Sequence, residues 1–210
     1  HRYSPEFGRA TGGVLNIVTK QGGNETLAEG FLEGAIGSWG ESGSFIDSLP
    51  AGSPPLAGTS RTTTEQYSVG FNFSGAFKKD KAFYFGAYER QETDKLIGYT
   101  GIDRYGVPGG RFLAPGHGDN FFFRTDFNLD NNRKLMIRAS FDDRGTAGVN
   151  VGGLFTPEAG FEIEEKDVGF AVTLTAITSP SAVSETRFAF SQSTFDQFAN
   201  SDVTGVTRPA

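Results

Sequence analysis

Seven stretches of this chain alternate apolar and polar residues, and the links between them alternate just as regularly between short and long. The stretches run over roughly 27–39, 65–77, 82–94, 120–130, 133–143, 166–178 and 182–196. A period of two marks a half-buried strand, and no stretch carries the stripe of an amphipathic helix. The short links are Lys78-Lys79-Asp80-Lys81, Asp130-Asn131-Asn132-Arg133 and Ser179-Pro180-Ser181, tight polar turns by composition. The long ones span 40–64, 95–119 and 144–165 and hold Gly, Pro, Ser and scattered aromatics. Antiparallel strands joined in chain order put successive links at opposite ends. The expectation is an all-β chain: an antiparallel meander of about seven long strands, with turns at one end and loops at the other.

Strand length and face pattern narrow this further. A globular strand is usually about 5–6 residues long, whereas a tilted strand that crosses a bilayer needs about 9–11. Most of these stretches reach the second figure. Short turns on one rim and long loops on the other are the arrangement of outer-membrane barrels, and a soluble sandwich has no physical reason to sort its links by length. In the fourth stretch Phe121, Phe123, Phe127 and Leu129 share one parity, while Arg124, Asp126 and Asn128 share the other. The fifth sets Leu135, Ile137, Ala139 and Phe141 against Lys134, Arg138 and Asp142. Val168, Phe170, Val172 and Leu174 follow the same rule in the sixth, as do Val69, Phe71 and Phe73 in the second. The opposite register would point Arg124 or Arg138 at hydrocarbon, which costs about 2–4 kcal/mol at the bilayer midplane. The apolar parity is therefore expected to face lipid, in part of a larger transmembrane β-barrel. In the first stretch Glu29 and Glu33 set the inner parity and carry Phe31 and Trp39 inward with them. The third, with Phe83, Tyr84, Phe85 and Tyr88, is aromatic on both faces and takes no assignment from sequence.

Composition closes several other routes. The chain has no cysteine, so neither a disulfide scaffold nor a thiolate metal site is available. Its net charge of −6 opposes a nucleic-acid partner, for which a basic face is needed. No apolar run approaches the ~20 residues of a spanning helix. The first residue is His1, and both ends look like cuts in a longer protein.

At the N-terminal end, "PEFGRATGGVLNIVTKQGGN" places Gly8, Gly12 and Gly13 before the apolar run Val14–Val18. A phosphate-binding loop has the reverse order, strand then glycines, and ends in Lys-Ser/Thr. Here Lys20 lies beyond the strand with Gln after it. The stretch resembles instead the last segment of the plug domain in TonB-dependent outer-membrane receptors: a glycine pair, an apolar strand with Asn inside it, then Thr-Lys. "GFNFSGAFKKDKAFYFGAYE" is similar to an early barrel hairpin of the large, Oar-like members. "FFFRTDFNLDNNRKLMIRASFDD" and "TLTAITSPSAVSETRFAFS" look like the next two hairpins. The resemblance implies that residues 1–24 are the C-terminal end of a plug and residues 25–210 the first strands and extracellular loops of the barrel. Family barrels have 22 strands, of which this chain would hold about a third, and the TonB box would lie upstream.

The family's role would follow: a receptor in the bacterial outer membrane that binds a scarce nutrient and imports it, using a TonB-type inner-membrane complex for energy. The partners so implied are outer-membrane lipid, that complex, and an extracellular small-molecule, peptide or saccharide ligand. Glu6 and Arg9 are polar residues that could pair with the barrel wall. Gly8, Gly12 and Gly13 would supply turn geometry, and Gly22-Gly23-Asn24 the hinge between plug and barrel. The alternative for Glu6 and Arg9 is an ordinary solvated turn. Among loop aromatics, Trp39, Tyr99, Tyr105 and Phe112 are the candidates for ligand contact, since rigid rings give large contact area at low entropy cost. Trp39 serves equally as part of an interfacial aromatic belt.

The remaining constellations carry less. Asp126–Asn131 starts like a calcium loop, but Asn131 and Ile137 stand where the motif needs Gly and Glu. His117 and Asp119 are two potential metal ligands in a polar segment, too few for a site. Glu162, Glu164, Glu165 and Asp167 form an acidic run, most simply a solvated face. Neither a nucleophile elbow nor a Ser-His-Asp order occurs. No catalysis, cofactor or metal is expected. The competing function is a secreted or surface β-sandwich for binding or adhesion, which would bury the phenylalanine parity against a second sheet.

Overall fold

The computed structural model describes residues 19–36, 64–102, 106 and 108–200. The alternating stretches form seven strands: β1 Leu27–Ile36, β2 Thr64–Lys78, β3 Ala82–Ile102, β4 Pro108–Asn128, β5 Arg133–Val149, β6 Phe161–Ser179 and β7 Ala182–Ala199. Each pairs antiparallel with the next, in chain order, within one sheet. A short 3-10 turn at Pro157–Ala159 is the only helical element among the described residues. The all-β meander expected from sequence is the fold.

Register lines up the faces. Gly30, Phe71, Tyr88, Phe121, Phe141 and Val168 sit side by side in one transverse row. Two residues nearer the turns, Phe73, Gly86, Phe123, Ala139, Phe170 and Phe190 form another. Directly opposed residues share a face, so the apolar parities of successive strands coincide. The other face carries Glu29, Asn72, Ala87, Phe122, Ser140, Gly169 and Ser191 in one row. Pairing also divides the aromatics of β3. Tyr84 and Tyr88 stand on the apolar face, their rings 6.1 Å from Phe73 and 5.7 Å from Phe71. Phe85 is on the polar face, 6.2 Å from Phe122.

The turns form where the polar links stand. Asp80 takes a left-handed φ of 62° in the β2–β3 turn. In the β4–β5 turn Asp130 accepts from Arg133 Nε at 2.6 Å and from the Asn132 N–H at 2.9 Å. Those two donors hold the Asp130 carboxyl below its ordinary range.

The loop end differs from the sequence expectation. Segments 95–102 and 108–119 are paired strand, leaving a β3–β4 link of residues 103–107. Gly and Pro made them read as loop. Yet Leu96 pairs with Leu113 and Ile97 with Phe112, and these cross-strand contacts carry the ribbon upward. Pro115 lies just past the last β4–β5 pair, Gly116–Thr146, where β4 has only β3 beside it and a missing N–H is tolerated. The β5–β6 link shortens likewise to residues 150–160. The β1–β2 link falls outside the described residues.

A single sheet has little interior. Among the described residues, Phe85, Ala114 and Ala171 are the buried apolar side chains, while Phe71, Phe121, Phe141 and Phe188 stay exposed. Among the described residues, β1 and β7 each leave one edge without a partner. The isolated 210 residues are expected to show no sharp, cooperative melt in water by circular dichroism. Such a melt would mean that the sheet completes itself.

Candidate functional site

The apolar face is a band with two definable limits. Toward the loop end it stops between Tyr67 and Glu65 on β2, between Phe121 and Asp119 on β4, and between Phe190 and Gln192 on β7. Tyr67 belongs to the row of Glu92, His117 and Glu164, whereas Phe190 belongs to the row of Phe73. The limit thus drops six residues, from Tyr67 to Phe73 on β2, across five strand steps. Toward the turn end it lies at Ala28 on β1 and at Ala176 on β6. The row of Ala28 meets β6 at Phe170, so this limit also drops six residues across five steps, in the same sense. With about 3.4 Å per residue and about 4.8 Å between strands, the loop-side limit from β2 to β7 and the turn-side limit from β1 to β6 slope by about 40° to the transverse rows; on β7 the turn-side limit returns to Phe188, in the row of Gly75, two residues below that of Ala28. The descent is stepped, level from β3 to β6, and the band narrows on β7 to Phe188 and Phe190.

Just past the loop-side limit the same face turns ionic. Arg90 meets Glu92 and Asp119, each at 2.8 Å, and Lys166 meets Asp143 at 3.7 Å. Two tyrosines stand on the boundary with hydroxyls turned to this layer: Tyr67 donates to Glu92, and Tyr88 to Asp119 at 2.5 Å. The Tyr67 hydroxyl and then Arg90 lower the Glu92 pKa; the Tyr88 hydroxyl and then Arg90 do the same for Asp119. A ring in the apolar zone with its hydroxyl in the polar one is how tyrosine marks an interface.

The polar face carries a fastened crossing at the turn end. The Arg124 guanidinium donates to the Thr19 carbonyl at 2.9 Å and to its hydroxyl at 2.8 Å, and to Gln21 Oε1 at 3.3 Å. Asp126 holds the same guanidinium at 2.7 Å, with side chains only 11% and 20% exposed, so the fork is fixed in direction. The chain then presses against β2 and β3. Gly22 is buried, and a Cβ there would stand 2.7 Å from the Gly75 carbonyl oxygen and closer still to that of Tyr84. Asn24 next exchanges two hydrogen bonds with Asp80, at 2.6 and 2.8 Å. Of the three residues expected at the junction of plug and barrel, Gly22 lies against β2 and β3 and Asn24 is bonded to the β2–β3 turn.

At the loop end the polar face holds a cavity of about 480 Å³ between β3, β4, β5 and the β5–β6 link. Its floor is opened by Gly116, Gly118 and Gly148, the last with a φ of +68°. The link folds back onto β3: the Thr100 N–H and hydroxyl both donate to the Gly153 carbonyl, at 2.5 and 2.7 Å. Phe112 lies over Gly148, and Tyr99 over Gly110.

Of the residues singled out from sequence, Tyr99 and Phe112 therefore share the polar face of the β3–β4 ribbon, on strands rather than in a loop. Trp39, Tyr105, Glu6, Gly8, Arg9, Gly12 and Gly13 lie outside the described residues. His117 and Asp119 are on the apolar-face parity, with Asp119 taken up by Tyr88 and Arg90. The acidic run divides between faces, Glu165 and Asp167 turning to Arg144 at 4.0 and 3.3 Å. No group of three or more His, Cys, Asp or Glu among the described residues could hold a metal ion. No helix among them is long and apolar enough to cross a membrane, which leaves strands untouched by that criterion. Comparison with protein-family models, curated proteins and solved structures finds no match to the chain.

Proposed function

We propose that this sheet is a section of the wall of a TonB-dependent outer-membrane receptor, joined through Thr19–Asn24 to the tail of its plug. The complete protein would take up an extracellular ligand and import it with energy from an inner-membrane complex. One observation carries the membrane part: from β2 to β7 the loop-side limit of the apolar band slopes by about 40° to the strand-pairing rows, and strands of outer-membrane barrels tilt by about 35–45°. A level slab of hydrocarbon demands that slope; a protein core does not. Tyrosines on the loop-side limit and ions beyond it fit an interface. The import part rests on the plug-like sequence of residues 5–24 and on the fastened crossing that follows it.

Spin labels in the complete protein in bilayers test this. Labels at Phe73, Phe123 and Phe170 are expected to be reached by oxygen and shielded from a water-soluble relaxant. Tyr67 and Gly145 share one transverse row, yet the label at 67 should sit in lipid and that at 145 in water. Equal water access at the two would remove the tilt. Inaccessibility of the phenylalanine rows to both reagents would favour the sandwich, its second sheet supplied from outside these residues.

A further inference from the structure

We infer that the cavity at the loop end is a binding site for a small anionic molecule, one bearing a carboxylate or phosphate on a hydrogen-bonding body. For its biological role this rests on the import proposal; its chemistry rests on the cavity alone. The chain is acidic overall, with 25 Asp and Glu against 19 Lys and Arg. The cavity wall reverses that balance: it includes Lys95 and Arg144 and no acid. The two cations differ. Arg144 already faces Asp167 at 3.3 Å and Glu165 at 4.0 Å. Lys95 has no acid within ion-pair reach among the described residues, so its charge is the one left for a ligand. The Lys95 side chain lines the cavity while remaining exposed, and a cleft lined by one sign of charge raises the local concentration of counter-ions.

The rest of the wall suits such a ligand. Gln91, Asn120 and Asn150 bring amides, and Thr93 and Thr146 bring hydroxyls, all able to donate to oxygen. Ile97 and Val151 give it an apolar side. At about 480 Å³ the volume falls within the range of about 300–1,000 Å³ typical of small-molecule sites. Glycines make that room, since a Cβ at Gly116 would lie 3.3 Å from the Gly145 carbonyl oxygen. The link that bounds the cavity is held to β3 by the two Thr100 hydrogen bonds, so the recess exists before any ligand arrives.

The test uses a matched pair of probes, glucose 6-phosphate and glucose, with citrate as a carboxylate probe. Binding to the complete protein in detergent is followed by titration calorimetry. Both anions are expected to bind at least tenfold tighter than glucose. Lys95→Gln should abolish that preference, and Lys95→Glu should do so at least as fully. Arg144→Gln should weaken it less, because its charge is already matched. Glucose binding as tightly as its phosphate, absence of binding by either anion, or an unchanged preference in Lys95→Gln would each overturn the inference. None of these outcomes bears on the spin-label pattern of the phenylalanine rows, so the site and the membrane proposal fail separately.

Discussion

Ile137→Arg will block assembly of the complete protein into membranes, while Met136→Arg, one residue away, will be tolerated. Ile137 lies near mid-height of the apolar band on β5, between Thr125 and Val172 in its row. Met136 points to the polar face, between Asp126 and Thr173. If the band meets hydrocarbon, arginine at its centre costs about 2–4 kcal/mol, against about 0–1 near an interface. Each 1.4 kcal/mol is about a factor of ten in an equilibrium, so the equilibrium constant for assembly into lipid vesicles should fall at least tenfold for Ile137→Arg. At Met136 the new guanidinium enters a polar surface beside an acid. Height along the strand matters as much as face. From alternation alone Phe127 and Asp126 look like the natural pair, but Phe127 is near the turn-side limit and Asp126 already holds Arg124 at 2.7 Å. Equal assembly of the Ile137 and Met136 variants would remove the face assignment, and the membrane proposal with it.

Sequence carried the faces of β2, β4, β5 and β6 because within the apolar band the charges and amides of β2, β4 and β5 keep to one parity, and in β6 glycine and threonine do. It failed on β3, where Phe83, Tyr84, Phe85 and Tyr88 put rings on both sides. Only the partners decide there: Tyr84 opposes Gly75 and Thr125, and Phe85 opposes Ser74 and Arg124. The upper β3–β4 ribbon was hidden for another reason. Gly98, Gly101, Gly109 and Gly110 carry little intrinsic strand preference, and pairing across the hairpin overrides it. The cavity follows from that ribbon, so Lys95 could not be told from any other loop lysine. Arg124 was legible as a polar-face charge. Its hold on Thr19 was not, because the two are 105 residues apart and no pattern along the chain links them.

Gly22 and Gly23 make the same point within one dipeptide, and they give the second large effect. In sequence they are an undifferentiated flexible pair. In the fold a Cβ at Gly22 would press on the backbone oxygens of Gly75 and Tyr84, while one at Gly23 would meet nothing within 4 Å. Backbone cannot turn aside as a side chain can, so Gly22→Ala must lift the crossing or move β2 and β3. Overpacking of this kind costs about 1–3 kcal/mol. The lost stability is local and should appear at Lys20, which is exposed between the Arg124-held Thr19 and Gln21. Tryptic cleavage after Lys20 requires that the crossing detach, and its rate follows the detached population when reclosing is fast. For Gly22→Ala in the complete protein the rate is expected to rise about tenfold or more, since 1.4 kcal/mol shifts an equilibrium by about ten. Gly23→Ala should leave it within about twofold, and Arg124→Ala should raise it through loss of the other anchor. Like rates for the two alanine variants would mean that the crossing is not clamped and that a preceding plug could pivot at the glycines. A difference in the expected sense fixes the crossing to the sheet, so that under the plug proposal any rearrangement must begin on the N-terminal side of Thr19.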